Sequence, residues 1–206
     1  MISHTRLIHQ ILFPSLIWKM NSGSIYLTFD DGPHPQATPL VLDLLDAEQV
    51  EATFFLTGEA VARFPSLVKD IASGGHSIGV HAYHHTRKAA FSKQNTKSEI
   101  RTTEAAIRQH VELPNKLFRP PYGFFTWNSI AAAEEMGYKF IMWTVLTGDF
   151  RQWPVDKIVK NATHRLASGS ILVFHDNELT VHTVAQVVRE SIRQIRDLGF
   201  TFKKIS

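Results

Sequence analysis

The sequence predicts an α/β protein, a (β/α) barrel with about seven parallel strands in a single domain. Short apolar runs alternate along the chain with segments in which apolar residues recur at helical spacing. Polar residues follow strand after strand, at the point where each strand would leave the sheet. A barrel gathers polar groups at the carboxyl ends of many strands, whereas an open doubly wound sheet concentrates them near one switch point. The barrel therefore accounts better for this sequence.

Turn residues and prolines set the limits of the predicted elements. The strand that begins at Ile25 runs into two aspartates and a Gly-Pro turn, and Pro120 must end a later strand. Thr96 and Glu99 stand at capping-box spacing near a helix start, and Gly199 ends the last helix. The other predicted strands cover residues 52–56, 76–80, 117–118, 138–143, 170–174 and 200–203. The predicted helices cover residues 38–47, 59–72 with an interruption at Pro65, 95–109, 127–136, 155–166 and 181–198.

Composition limits both the class of protein to which this chain can belong and the kinds of site that it can form. Its 206 residues are 44% hydrophobic and 20% charged, which suits one soluble domain with a sizeable core. The net charge is +3, and the basic residues are spread along the chain, so the pattern argues against a nucleic-acid partner. The absence of cysteine excludes disulfides and thiolate ligands, so any metal must be bound by nitrogen and oxygen atoms.

The first part of the chain, residues 1–24, is expected to pack on the barrel domain formed by residues 25–206. Residues 8–20 are apolar but interrupted by polar residues and proline, too short to span a bilayer, and followed by no small-residue cleavage site. We therefore favour a cytoplasmic or membrane-associated protein over a secreted one. The alternative to packing is peripheral membrane contact through Leu12, Phe13, Leu16, Ile17 and Trp18. The sequence does not indicate an oligomeric state.

Two adjacent carboxylates, Asp30 and Asp31, stand at the mouth of the first strand. Neighbouring residues of an extended chain point to opposite sides, so one aspartate can bind a metal while the other serves as a base. Like charges this close repel each other unless a cation or a proton separates them. The plainer alternative is an acidic turn, because Asp-Gly is a common turn dipeptide.

A pair of histidines is the second candidate group. His81 and His85 lie four residues apart, so a helical turn or a compact loop can direct both imidazoles to one point, while His84 points elsewhere. With Asp31 they make a two-histidine, one-carboxylate set that leaves metal positions open for water and substrate. Zinc is the expected metal, and cobalt, nickel and iron fit the same ligands. The alternative is a solvated histidine-rich loop.

Two further residues extend the set. Arg119 precedes a stiff Pro-Pro-Tyr-Gly segment. If its guanidinium lay beside Asp30, it would hold that carboxylate ionised and oriented. The Tyr122 N–H could donate to an oxyanion. His175 ends an apolar strand and could act as a general acid toward a leaving amine. The alternatives are a surface ion pair for Arg119 and a histidine bonded to the backbone for His175.

From Ile25 onward the chain resembles the polysaccharide deacetylases of carbohydrate esterase family 4, metal-dependent enzymes on a distorted barrel. The family's Thr-Phe-Asp-Asp-Gly motif is intact at residues 28–32, which implies Asp30 as catalytic base and Asp31 as metal ligand. His81 and His85 match the second motif, although Ala82 replaces a loop-bracing Ser or Thr. The third motif is intact at residues 119–123 and implies that Arg119 orients the base.

The fourth and fifth motifs depart from the family pattern. Leu146 replaces the first acid of the fourth motif, Asp149 is retained, and Phe150 replaces a tryptophan in the wall of the acetyl pocket. In the fifth motif Val173 stands where the family has leucine, two residues before His175. The resemblance implies that Asp149 tunes Arg119 or His175. It also implies that four residues contact the substrate, namely Pro120, Tyr122, Phe150 and Val173.

Together these motifs predict a metal-dependent deacetylase that hydrolyses the N-acetyl group of an amino-sugar polymer or oligomer, of the chitin or peptidoglycan type, to acetate and a free amine. The expected partner is an acetylated carbohydrate. One alternative substrate is a membrane lipid-linked amino sugar. The other alternative is a carbohydrate-binding barrel without turnover. No motif specifies the glycan, or distinguishes N- from O-deacetylation.

Overall fold

Seven parallel strands form one sheet in the computed structural model, which describes residues 7–206. The strands are β1 Tyr26–Asp30, β2 Thr53–Leu56, β3 Ser77–Val80, β4 Leu117–Phe118, β5 Lys139–Phe140, β6 Val145–Leu146 and β7 Ile171–His175. Their order in the sheet is β5-β4-β3-β2-β1-β7-β6. Chain order is therefore kept around a curled sheet that is open only between β5 and β6. This arrangement confirms the predicted distorted barrel.

Helices connect successive strands, except β5 and β6, and cover the outer face of the sheet. Within the described residues they are α1 Leu7–Leu12, α2 Ala37–Ala47, α3 Gly58–Arg63, α4 Pro65–Ser73, α5 Lys93–Arg108, α6 Trp127–Glu135, α7 Val155–Thr163 and α8 Val184–Asp197. Short 3₁₀ segments cover Lys88–Phe91, Pro121–Gly123 and Asp149–Arg151. No helix in residues 7–206 is both long and apolar enough to cross a membrane.

The central strands have two chemically different faces because successive side chains alternate. Phe29 stacks against Phe54 at 4.9 Å and Phe174 at 5.8 Å between ring centroids, and this aromatic layer faces the helices. Asp30 lies on the opposite face, where its neighbours in register are Phe55 and His175. The apolar layer thus fixes the strands while the polar residues line the barrel interior.

Two strand predictions were wrong. The predicted strand 138–143 is only Lys139–Phe140, and the separate short strand Val145–Leu146 was missed. Residues 200–203 form no strand, because both edges of β1 are already paired with β2 and β7. Phe202 makes a single bridge to Ile25, just before β1 begins.

The helix boundaries also show where local signals were correct and where they failed. The predicted interruption at Pro65 separates α3 from α4. The capping box predicted at Thr96 and Glu99 is wrong, because α5 begins at Lys93 and Ser92 accepts the capping hydrogen bond from Asn95 N–H. The Thr96 hydroxyl donates instead to the carbonyls of Ala89 and Ser92.

The segment before β1 lies along the open side of the barrel. Ile17 bridges to Ile141 beyond β5, and Lys19 bridges to Ser170 before β7. Leu16 and Trp18 are buried in the core, so these two residues cannot contact a membrane as the alternative prediction required. Ile11 and Leu12 are exposed. Residues 1–6 of the predicted N-terminal segment lie outside the described residues.

Gly79 in β3 leaves room for the ring of Phe55, since a Cβ at this position would lie 2.6 Å from Phe55 Cε1. We predict that Gly79→Ala destabilises the fold by about 1–3 kcal/mol because the ring must move within a packed interior. Urea unfolding measures the change. The matched control is Gly23→Ala, whose Cβ would meet nothing within 4 Å. Equal stability of the two variants would contradict this packing argument.

Candidate active site

A cleft of about 270 Å³ lies at the carboxyl ends of the strands. Its walls are formed by Asp30, Asp31, His81, His85, Tyr122, Gly123, Trp143, Leu146, Phe150, His175, Asn177 and Leu179. Residues from five strand ends therefore meet here, as expected for a barrel. The cleft combines titratable groups with apolar walls, which is the usual composition of a small-molecule site.

Asp31 leaves the line of β1 because its backbone adopts a left-handed conformation, with φ 77°. This turn separates its side chain from that of Asp30, which stays on the strand face. Asn177 Nδ2 donates to Asp31 Oδ2 at 2.8 Å, so one carboxylate oxygen is fixed and the other is directed toward the histidines. Burial raises the pKa of Asp31, but His81, His85 and the charge of His175 outweigh it and hold that pKa well below its usual value.

The imidazoles of His81 and His85 converge on Asp31. Their Nε2 atoms lie 3.5 Å and 3.1 Å from Asp31 Oδ1, and one ligand atom from each residue fits within 4.8 Å of the others. Neither contact has hydrogen-bond geometry, so Oδ1 is buried without a hydrogen-bond partner among the described residues. His81 Nδ1 lies 2.8 Å from the Arg119 carbonyl, and donation there leaves the Nε2 lone pair facing Asp31. This donor set and the unpaired oxygen fit a divalent cation.

The loop that carries the two histidines is held by Glu99 from α5. Glu99 Oε2 accepts from the N–H groups of Tyr83 and His84, each at 2.8 Å. A carboxylate from another element thus braces this loop, in which Ala82 has no hydroxyl to offer and takes a positive φ of 68°. His84 points away from Asp31 and toward Glu99, whose hydrogen bond raises the pKa of His84.

Arg119 is fully buried beneath Asp30, so it is not a surface ion pair. Its Nη1 donates to Asp30 Oδ1 and to Thr28 Oγ1, both at 2.7 Å. Its other nitrogens donate to the carbonyls of Ile141 and Met142. The guanidinium also lies 4.1 Å over the ring of Phe55. Burial lowers the pKa of Arg119, and the charge of Asp30 opposes that change.

His175 is paired with Asp149 rather than with a backbone carbonyl. His175 Nδ1 lies 2.8 Å from Asp149 Oδ1, and the His175 backbone N–H donates to Oδ2 at 2.7 Å. Burial lowers the pKa of His175, but the charge and hydrogen bond of Asp149 outweigh it and raise that pKa to about 9. Of the two partners that the motifs implied for Asp149, the geometry selects His175, because Arg119 is paired with Asp30.

The predicted substrate contacts divide into two groups. Tyr122 and Phe150 line the cleft, with the Tyr122 ring 4.3 Å from that of His85 and Phe150 edge-on to His175 at 5.1 Å. Pro120 and Val173 do not line it, which corrects their predicted placement. Val173 is fully buried on the same face of β7 as His175 but one layer deeper, and Pro120 lines a small separate cavity.

Comparison with known proteins identifies the family of this chain. The sequence model of the polysaccharide deacetylases matches residues 19–141. This chain belongs to the polysaccharide deacetylase family. A peptidoglycan-N-acetylglucosamine deacetylase of Bacillus cereus is 37% identical over 155 residues, which are 75% of this chain and 56% of that protein. A chitooligosaccharide deacetylase of a Bradyrhizobium species is 36% identical, over 74% of this chain and 70% of the relative. The solved structure of the Bc1960 peptidoglycan N-acetylglucosamine deacetylase superposes with a TM-score of 0.89 at 30% identity and covers 98% of this chain and 95% of that one.

Several residues around this polysaccharide deacetylase cleft were missed by sequence reasoning. Asn177 orients Asp31, and Trp143 forms an apolar wall by packing over Gly123, where a Cβ would lie 2.1 Å from the indole. The glycine at position 123 of the third motif was a usable sequence signal for a tight turn, and its φ of 60° in the structure is one that favours glycine. Asn177 and Glu99 had no local signal, because their partners lie on distant elements.

Glu99 offers a test of how the histidine loop is positioned. We predict that Glu99→Ala weakens zinc binding about tenfold, since two backbone N–H groups lose their acceptor and the imidazoles are held less firmly. Glu99→Gln keeps an acceptor oxygen and should retain most of the affinity. Calorimetric titration with zinc measures both. Glu104→Ala on the same helix, where Glu104 pairs with Arg108, is the control. Unchanged affinity in Glu99→Ala would exclude this role.

Proposed function

We propose that this polysaccharide deacetylase is a metal-dependent N-deacetylase of an amino-sugar glycan, of the peptidoglycan or chitin type. The observation that carries the proposal is the buried, unpaired Oδ1 of Asp31 facing two imidazole nitrogens. Asp31, His81 and His85 would hold the cation, with zinc the expected metal and cobalt, nickel or iron as alternatives. A divalent cation there supplies Lewis acidity toward an acetyl carbonyl and lowers the pKa of a nearby water.

Asp30 serves as the general base in this proposal. Its carboxylate lines the cleft and accepts the proton of the water that attacks the acetyl carbon. Arg119 supports this role because its hydrogen bond at 2.7 Å fixes Asp30 Oδ1 and places a positive charge against it. The second oxygen of Asp30 makes no hydrogen bond to Arg119 and is the one available for the proton.

Opposite the base, His175 serves as the general acid. Its pKa of about 9 keeps it protonated at neutral pH, so it can donate a proton to the departing amine nitrogen. Asp149 holds Nδ1 and leaves Nε2 as the donor toward the cleft. The Tyr122 N–H donates to the oxygen that becomes negative as the tetrahedral intermediate forms.

The substrate class is supported by the apolar walls of the cleft and by the named relatives. Trp143, Leu146 and Phe150 line the cleft, and an apolar wall suits the methyl group of an acetyl amide. Leu146 stands where the family pattern has an acid, and Phe150 stands where it has a tryptophan. Both residues keep this wall apolar. The relatives are named for peptidoglycan and for chitooligosaccharides, both glycans that contain N-acetylglucosamine.

The two alternative functions have less support. A barrel without turnover would not need the paired base and paired acid that flank Asp31. Action on a lipid-linked sugar through membrane contact stays a prediction, supported by the exposure of Ile11 and Leu12.

We predict that Asp30→Asn lowers kcat for acetate release at least about 100-fold, since an amide cannot accept the proton. The assay uses chitooligosaccharides and peptidoglycan fragments with zinc or cobalt present. Asp43→Asn, an exposed substitution on α2, is the control and should leave the rate unchanged. Turnover of Asp30→Asn near the wild-type rate would remove Asp30 from the mechanism.

The second prediction concerns pH. Because the pKa of His175 is raised to about 9, the acid form is present below that pH, and kcat should fall as pH rises through 9. Asp149→Asn removes the charge that raises this pKa, so the alkaline limb should move about 1–3 pH units lower. The kcat profile from pH 6 to 10 measures the shift, with exposed Asp156→Asn as control. An unmoved alkaline limb would separate His175 from the titration.

A further inference from the structure

A second cavity of about 370 Å³ adjoins the catalytic cleft. It shares Tyr122, Gly123 and Trp143 with the cleft, so the two spaces have a common wall. Its other side is formed by the segment before β1, where Phe13 and Trp18 face this space. A molecule that occupies the cleft can therefore extend along this groove.

Aromatic rings form most of the groove. The Phe13 ring packs edge-on against Phe125 at 5.0 Å, Trp18 lies 6.2 Å from Phe125, and Phe124 lines the same space. The apolar faces of a sugar ring pack well on such surfaces, while its hydroxyl groups stay in contact with water. The concave shape and its continuity with the cleft suit the next sugar of a chain.

One cation stands at the junction of groove and cleft. The guanidinium of Arg87 lies 4.7 Å over the Tyr122 ring, which itself contacts the ring of His85 at 4.3 Å. Arg87 is exposed and forms no ion pair with an acidic side chain in the part of the chain that the structure describes. By contrast, Lys93 and Lys97 are both paired with Glu135. The free guanidinium fits a carboxylate on the molecule that enters the groove.

We propose that the groove binds the sugar next to the one being deacetylated, and that Arg87 binds a carboxylate on that neighbouring sugar. This inference rests on the proposed function and narrows its substrate. A 3-O-lactyl carboxylate, as on muramic acid without a peptide stem, fits the requirement, whereas the neighbouring sugar of chitin carries no acid. A lipid tail in the groove would leave the cation without a partner. The enzyme therefore prefers a glycan of alternating N-acetylglucosamine and muramic acid over chitin.

The test compares two tetrasaccharides, chitotetraose and an N-acetylglucosamine–muramic acid tetrasaccharide without peptide stems. We expect the wild-type zinc enzyme to prefer the second in kcat/KM. Arg87→Gln should lose about fivefold on the lactyl-bearing tetrasaccharide, through KM, and be unchanged on chitotetraose. Arg87→Lys should recover part of the loss, because it keeps the charge but not the planar fork. Lys88→Gln, an exposed neighbour outside both cavities, should match the wild type on both substrates.

Calorimetric binding of the deacetylated products tests the Arg87 site independently of deacetylase activity. The products retain the lactyl carboxylate, so their affinity should fall about fivefold in Arg87→Gln even if the wild type releases no acetate. In that case the deacetylase proposal fails and the Arg87 site survives. An equal loss on both tetrasaccharides, no loss on either, or the same loss in Lys88→Gln would overturn the Arg87 proposal.

Discussion

The buried ion pair between Arg119 and Asp30 is the interaction on which the rest of the site depends. A guanidinium in the barrel interior is tolerated only because Asp30, Thr28 and two backbone carbonyls accept its hydrogen bonds. Removing either charge would leave the other buried and unpaired, at a cost of about 3–5 kcal/mol. The ring of Phe55 supports the guanidinium from below, and it has room to do so because residue 79 is glycine.

Arg119 also links the base and the histidines, because its side chain and its backbone contact different parts of the site. The side chain of Arg119 fixes Asp30, while its carbonyl oxygen lies 2.8 Å from His81 Nδ1. The position of the proposed base and the orientation of an imidazole in the candidate metal site are therefore set by one short strand end and the prolines after it. Asp30 and Asp31 can stay adjacent because each has its own cationic or polar partner, Arg119 for the first and Asn177 with the histidines for the second.

Sequence reasoning predicted the elements and residues whose signals are local. The apolar runs before Asp30, His81 and His175 predicted strands, and motif spacing predicted which polar residues would meet. It failed where the outcome depends on tertiary pairing. Residues 200–203 have the pattern of a strand but find no free edge, and Val145–Leu146 is too short to carry a pattern. Glu99 looked like half of a capping box, yet its carboxylate holds a loop fifteen residues earlier.

The opening of the barrel between β5 and β6 gives this chain a feature that the motifs do not encode. Only four residues separate β5 from β6, too few for the crossover that a parallel pair needs, and Ile17 and Lys19 bridge to Ile141 after β5 and to Ser170 before β7. The segment that fills the gap brings Phe13 and Trp18 beside the catalytic cleft and so forms one side of the aromatic groove. This segment lies before the first motif and supplies none of the hydrogen bonds described above for the buried ion pair. The proposed catalytic groups are thus fixed by the strand ends, whereas the groove proposed to bind the neighbouring sugar depends on a part of the chain outside them.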